Sequence, residues 1–198
     1  PLAVGFHAAN QAEAGPGQRA VVLGSGCIGL VSMMALRARG VPKVFVTDVM
    51  DKRLQKAEEL GAAATVNSAE EDAVQAVMRL TEGRGADVII ETSGAPQAAR
   101  QAVEMAKKGA VIVFVGYSKT GEVTLPMSMA LDKELTFRTV FRYRNIYPMA
   151  IEAVAGGAVN LKGIVTNFFE FDDIRNAMDQ SVKDKANIVK SVIRIAGA

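Results

Sequence analysis

The sequence predicts a doubly wound α/β fold, in which a parallel sheet of about six strands is covered by helices on both faces. Three observations carry that prediction. Short β-branched runs alternate with stretches whose apolar residues recur at helical spacing, and such alternation requires right-handed crossovers and therefore a parallel sheet. The first run leads directly into a glycine-rich segment, GSGCIG from Gly24 to Gly29, and the next run ends in a carboxylate, Asp48. The chain of 198 residues is long enough for one sizeable core and a tail, but short of two full domains at roughly 100–200 residues each.

In chain order, Pro1 to Gly15 reads as a helix entering from elsewhere, closed by the turn GPGQ. RAVVL, from Arg19 to Leu23, lies between Gly17 and Gly24 and has the texture of a strand buried on both faces. Ile28, Val31, Met34, Ala35 and Ala38 then recur at helical spacing until Gly40 supplies a stop, and KVFVTD forms a second strand from Lys43 to Asp48. The alternation continues with a helix over 52–60, a strand over 64–67, a helix over 73–80, the strand DVIIET over 87–92, a helix over 95–107 and the strand AVIVFVG over 110–116. After the polar turn SKTGE, ELTFRTVF from Glu134 to Phe141 adds a sixth strand.

Beyond Tyr143 the texture changes. A helix around Ile151, a glycine pair at Gly156 and Gly157, an aromatic run of Phe168, Phe169 and Phe171, a helix starting near Asp172 and a closing strand from Ile188 to Ile195 fall outside the six-strand count. The second of these helices carries Ile174, Ala177, Met178 and Val182 on one face, with Asp172 or Asp173 as its cap. The division expected is therefore a doubly wound domain over 1–143 and a C-terminal segment over 144–198 whose apolar faces need cover.

Composition excludes several classes. A formal charge of +2 with 22% charged residues is far from the balance of a nucleic-acid binder. No apolar run approaches the roughly 20 residues of a membrane helix, and the first residues lack a signal pattern, so a cytoplasmic protein is expected. One cysteine, Cys27, permits no internal disulfide, and with His7 as the one histidine the chain offers no evident zinc site, since such a site takes about three ligands.

The glycine segment follows a strand, opens a helix and has its acidic partner about 20 residues on, the context that distinguishes a dinucleotide fingerprint from a chance triplet of glycines. In that reading Gly24 permits the tight turn, Gly26 lets the backbone approach a pyrophosphate, and Gly29 allows the helix to close on the strand. The helix that opens there presents unpaired N–H groups and a positive dipole end to the phosphates. Asp48 would accept hydrogen bonds from the adenosine ribose and repel a 2′-phosphate, which favours NAD over NADP; a strand-end aspartate capping the next helix is the alternative. Arg53 could stack on adenine or, with Lys52, tolerate a phosphate. Other strand ends bring Ser93, Gly94, Gly116 and Tyr117 to the same edge of the sheet, where small residues would admit a nicotinamide ring or form plain turns. Arg142, Tyr143 and Arg144 suit a hydroxylated substrate or a solvated basic edge.

The segments PLAVGFHA, VVLGSGCIGLVS, VFVTDVMDKRLQKAEELGA, GADVIIETSG, GAVIVFVGY and VFRYRNIYPMAI make the whole chain resemble the cofactor-binding portion of medium-chain zinc-type alcohol dehydrogenases. The resemblance is greatest to their polyol branch of sorbitol and xylitol dehydrogenases. It implies a Rossmann-type domain with NAD contacts at Ile28, Asp48 and Arg53, at Val115, Gly116 and Tyr117, and at Val140, Phe141 and Arg142, and it puts Arg142 and Tyr143 at the polyol hydroxyls. It also implies a small-molecule polyol or other secondary alcohol as substrate and a zinc held by a separate N-terminal domain, so that this chain alone would bind cofactor without turnover. A homo-oligomer pairing through the sixth strand is implied as well. Threonine or butanediol dehydrogenases of the same superfamily, a zinc-free quinone reductase relative and a non-catalytic dinucleotide-binding module remain alternatives.

Overall fold

The computed structural model describes residues 1–195. Helix α1 (Leu2–Gln11) is followed by β1 (Arg19–Leu23), α2 (Cys27–Ala38), β2 (Lys43–Asp48), α3 (Asp51–Glu59), β3 (Ala64–Asn67), α4 (Ala73–Leu80), β4 (Ala86–Glu91), α5 (Pro96–Met105) and β5 (Ala106–Phe114). Then come α6 (Met127–Asp132), β6 (Thr136–Thr139), α7 (Tyr147–Ala155), β7 (Asn167–Glu170), α8 (Ile174–Lys183) and β8 (Ser191–Arg194). Six strands form one sheet in the order β3-β2-β1-β4-β5-β6, every pair parallel. The chain direction across the sheet reverses between β1 and β4, which opens a crevice at their carboxyl ends.

Alternation along each strand sorts side chains to the two faces. Ala20 and Val22 of β1 join Val44, Val46, Val88 and Ile90 beneath α1 and α2, while Val21 and Leu23 join Phe45, Ile89 and Ile112 beneath α4 and α5. Helix α1 lies mainly on α2, and Gly5 makes this close approach possible: a Cβ there would stand 2.7 Å from the carbonyl carbon and oxygen of Val31. Ile146, Ala150, Val159 and Ile164 pack into the same core as α1 and α2. Among the described residues no helix is long and apolar enough to cross a membrane.

Several boundaries differ from the sequence reading. Helix α5 stops at Met105, and the segment from Ala106, expected to be its last turn, is already strand β5. Lys133 caps the helix by donating to the carbonyls of Val103 and Glu104 at 3.0 and 2.7 Å, and Ala106 pairs with Ala86 while Lys107 meets Asp87 at 2.6 Å. The sixth strand covers Thr136–Thr139, shorter than 134–141, because Glu134 at φ 51° and Leu135 are bonded back into the turn that ends α6. Helix α8 begins at Ile174 after a 3₁₀ turn over Phe171–Asp173, and neither expected cap operates: Asp173 holds the N-cap position, but its carboxylate takes the Asn176 side-chain amide at 3.0 Å. Phe168 and Phe169 of the aromatic run lie in β7, which pairs in parallel with β8 in a separate two-stranded sheet, and Phe171 opens the 3₁₀ turn.

Candidate dinucleotide-binding site

At the end of β1 the chain turns at Gly24, whose φ of 97° lies in the left-handed region where glycine is strain-free. The Gly24 amide donates to the Thr47 carbonyl at 2.8 Å, which ties the turn to β2. A Cβ at Gly29 would stand 1.8 Å from the Gly24 carbonyl oxygen, so only glycine lets α2 start this close to the strand it leaves. Gly26 is different. It sits at the N-cap of α2 with no side-chain cap, and the nearest atom to a Cβ built there is a terminal nitrogen of Arg53 at 3.9 Å. The space beside bare backbone amides is therefore open and faces a guanidinium, an arrangement that fits a pyrophosphate.

Asp48 ends β2 half-buried, and its carboxylate accepts N–H bonds from Ser25 at 2.6 Å, Val49 at 2.8 Å and Met50 at 3.1 Å. It thus joins the glycine turn to the entry of α3. Among the described residues only Ser25 bonds to Oδ2, which retains a lone pair for a further donor. The carboxylate borders a cavity of about 190 Å³ whose walls are Gly24, Thr47 and Val49 on one side and Ser93, Ala98 and Gln101 on the other. Arg53 donates through Nε to the Lys185 carbonyl at 2.8 Å, and Lys52 bonds to the Asn187 side chain, so the entry of α3 is fastened to the C-terminal segment. Ile28 faces that segment too, in a cavity shared with Met178 and Lys190.

Sequence reasoning passed over Glu91, the last residue of β4. It is 1% exposed, and its Oε1 accepts from the Ser93 amide at 2.8 Å, the Ser93 hydroxyl at 2.5 Å and the Gly94 amide at 3.0 Å. Burial pushes its carboxyl above the usual range, against the opposing pull of the Ser93 and Gly94 donors. The signal was present as a charge closing the apolar run DVII, in a strand with both faces covered.

Val115, Gly116 and Tyr117 form the turn after β5, and Val140, Phe141 and Arg142 follow β6. The two turns meet: the Tyr117 and Phe141 rings are 6.4 Å apart edge to face, and the Arg142 guanidinium lies 4.9 Å over Phe141. Gly94 and Gly116 are small because backbone meets backbone there, a Cβ at Gly116 standing 2.2 Å from the Gly94 nitrogen. Tyr143 and Tyr147 share a hydroxyl–hydroxyl hydrogen bond of 2.9 Å with rings at 87°, and the neighbouring Tyr143 hydroxyl pushes the Tyr147 phenol up. Both line a largely apolar cavity of about 630 Å³ with Leu2, Ile151, Val154 and Ile164. That cavity is larger than the one beside Asp48 and includes none of the glycine-turn residues. Cys27 is the first residue of α2, and burial pushes its thiol up. Among the described residues no group of three or more His, Cys, Asp or Glu could hold a metal ion, so the donor set does not fit zinc.

The profile of the zinc-binding dehydrogenase family matches residues 27–156. The chain is 39% identical over 196 residues to the uncharacterized zinc-type alcohol dehydrogenase-like protein YdjJ of Escherichia coli, covering 99% of this chain and 56% of that protein. It is 33% identical over 193 residues to a Bacillus subtilis sorbitol dehydrogenase, covering 98% and 55%. Among solved structures it superposes with a TM-score of 0.95 and 38% identity on an Escherichia coli oxidoreductase/dehydrogenase of unknown specificity, covering all of this chain and 56% of that one. It superposes with 0.91 and 30% on a Bacillus subtilis 2R,3R-butanediol dehydrogenase, covering 99% and 56%. The chain spans about half the length of the relatives it matches. With the fold, the glycine corner and these likenesses together, the chain belongs to the zinc-binding dehydrogenases of the medium-chain alcohol dehydrogenase superfamily and carries their NAD-binding Rossmann fold.

Proposed function

We propose that this chain is the NAD-binding module of an enzyme that oxidises a polyol or other secondary alcohol. The observation that carries the reading is the glycine corner, where Gly29 is closed on Gly24 while Gly26 stays open beside Arg53. In this reading the pyrophosphate rests on the amides that open α2 with Arg53 as its counter-charge, and Asp48 accepts from the adenosine ribose. When bound, NAD supplies a carbon that accepts hydride from the alcohol. Val115, Gly116 and Tyr117, with Val140, Phe141 and Arg142, form the wall for its nicotinamide half, and Arg142 and Tyr143 orient substrate hydroxyls. A polyol is supported by the likeness to sorbitol dehydrogenase, and a vicinal diol by the likeness to butanediol dehydrogenase. Neither activation of the alcohol by zinc nor any other metal step is assigned to these residues.

In the same reading residues 1–143 are the cofactor domain and 144–198 the segment that returns towards a catalytic domain, with β6 at the free edge of the sheet as the contact between subunits of a homo-oligomer. The single cysteine suits a reducing compartment, and on that ground we place the enzyme in the cytoplasm. Calorimetry with NAD and NADP tests the cofactor: micromolar binding of NAD with at least tenfold weaker NADP is expected at a ribose-binding aspartate, and equal or absent binding refutes it. A screen of sorbitol, xylitol, butanediol and threonine with the enzyme carrying its metal-bearing domain separates the substrates.

A further inference from the structure

The carboxyl ends of three central strands are knitted together by the four residues that close β4. Thr92 donates its amide to the Leu23 carbonyl at 2.9 Å and its hydroxyl to the Leu23 and Gly24 carbonyls at 3.0 and 3.2 Å, which fixes the glycine turn on one side. On the other side the Glu91 carbonyl accepts the Val115 and Gly116 amides at 2.8 and 3.1 Å. Between them the Glu91 side chain turns back and gathers the Ser93 amide, the Ser93 hydroxyl and the Gly94 amide onto Oε1. A buried carboxylate that ends a hydrophobic strand costs free energy by desolvation unless hydrogen bonds offset it, and here three donors converge on one of its oxygens. What it holds is the Ser93 to Ala95 turn, which forms the wall of the cavity opposite Asp48 and rests through Gly94 on the backbone of Tyr117.

We propose that Glu91 is a positioning residue for the cofactor: its carboxylate sets the Ser93–Gly94 turn so that the crevice between β1 and β4 has the width of an adenosine and its far side meets the Gly116–Tyr117 turn. Glu91 touches no ligand in this arrangement. It acts through the two turns it braces, and the inference rests on the dinucleotide reading of the site.

The test uses the 198-residue chain with Glu91→Gln, which keeps the size of the side chain and removes its charge, and Glu91→Asp, which keeps the charge but shortens the reach. Calorimetry with NAD and with AMP, well below the melting temperature, is paired with amide exchange at Ser93 and Gly94. Charge-assisted hydrogen bonds are about twice as strong as neutral ones, so Glu91→Gln should weaken NAD and AMP about tenfold and speed exchange at those two amides, with Glu91→Asp at least as severe. Val77→Ala, a truncation of a fully buried residue in α4, is the control: it lowers the melting temperature and leaves both affinities within twofold, which a purely structural effect of Glu91 would match. Wild-type affinity in Glu91→Gln overturns the inference. A wild-type chain that binds neither NAD nor AMP removes the dinucleotide reading and the inference with it.

Discussion

The two ends of this molecule are built to different standards. In the sheet, backbone and side chain leave almost no slack: Gly29 stands against Gly24, Gly94 against Tyr117, and Glu91 is buried with three donors. In the segment after Tyr143, large apolar side chains face outward, with Phe168, Phe171, Met178 and Val182 more than half exposed. Helix α8 buries Ala177 alone, although Ile174, Met178 and Val182 share a face with it. A tightly packed crevice and an apolar exposed surface in one chain show two standards of packing: the glycine corner is held by close backbone contacts, while α8 leaves most of its apolar face uncovered among the described residues.

The contrast can be broken most severely at Gly29. Gly29→Ala should destabilise the chain by about 3 kcal/mol, the upper range for overpacking, because the new methyl meets rigid backbone; it should also abolish NAD binding. Chemical denaturation and calorimetry check both, and a stable, binding alanine variant would remove the argument for a forced close approach. Next is Asp48→Asn, which keeps the shape but weakens the acceptor of the Ser25, Val49 and Met50 amides. NAD affinity should fall by about 1.4–2.8 kcal/mol, or roughly 10–100-fold, and NADP should lose less, as read by parallel titrations.

A smaller effect comes from proton linkage at Glu91. Because burial raises its folded value, the folded chain binds the proton more tightly than the unfolded one. Stability from this group is therefore fully present below its ordinary value of 4.5 and is lost as pH rises through the raised one. Denaturation midpoints measured from pH 4 upward should show that decline in the wild type, and Glu91→Gln should flatten it. The smallest change in stability belongs to the other region: Met178→Glu should alter unfolding free energy by less than about 0.5 kcal/mol, as exposed positions do. It should nonetheless weaken any self-association seen by sedimentation, and a large loss of stability would mean that the face is already covered within the chain.

The same division governs what the sequence disclosed. The buried strands and the glycine corner were legible because the period of burial and the φ requirement act over a few residues: RAVVL, KVFVTD and ATVN coincide with β1, β2 and β3. The boundary between α5 and β5 was not, since it depends on Lys133 reaching back to cap a helix and on the pairing of Ala106 with Ala86. Helix α6 and strand β7 were missed for a related reason. Their short segments lack a clear period, and β7 is a strand only because β8 supplies its partner. At the site, Gly24, Gly26, Gly29 and Asp48 are set by local motif geometry, whereas the use of Glu91 as a brace depends on a turn that no pattern of spacing describes. Gly94 and Gly116 were readable as small residues, but the backbone contact that requires them joins two separate turns.

The bond from Arg53 to the Lys185 carbonyl has a bearing on chain order. A guanidinium is a flat fork, and once its Nε is engaged the direction of its two terminal nitrogens is fixed. A main-chain oxygen 132 positions downstream thus aims the charge that overlooks Gly26. The electrostatics of the glycine loop are thus completed by a stretch far downstream of it, so a polypeptide lacking that stretch would carry an intact fingerprint and a misdirected cation.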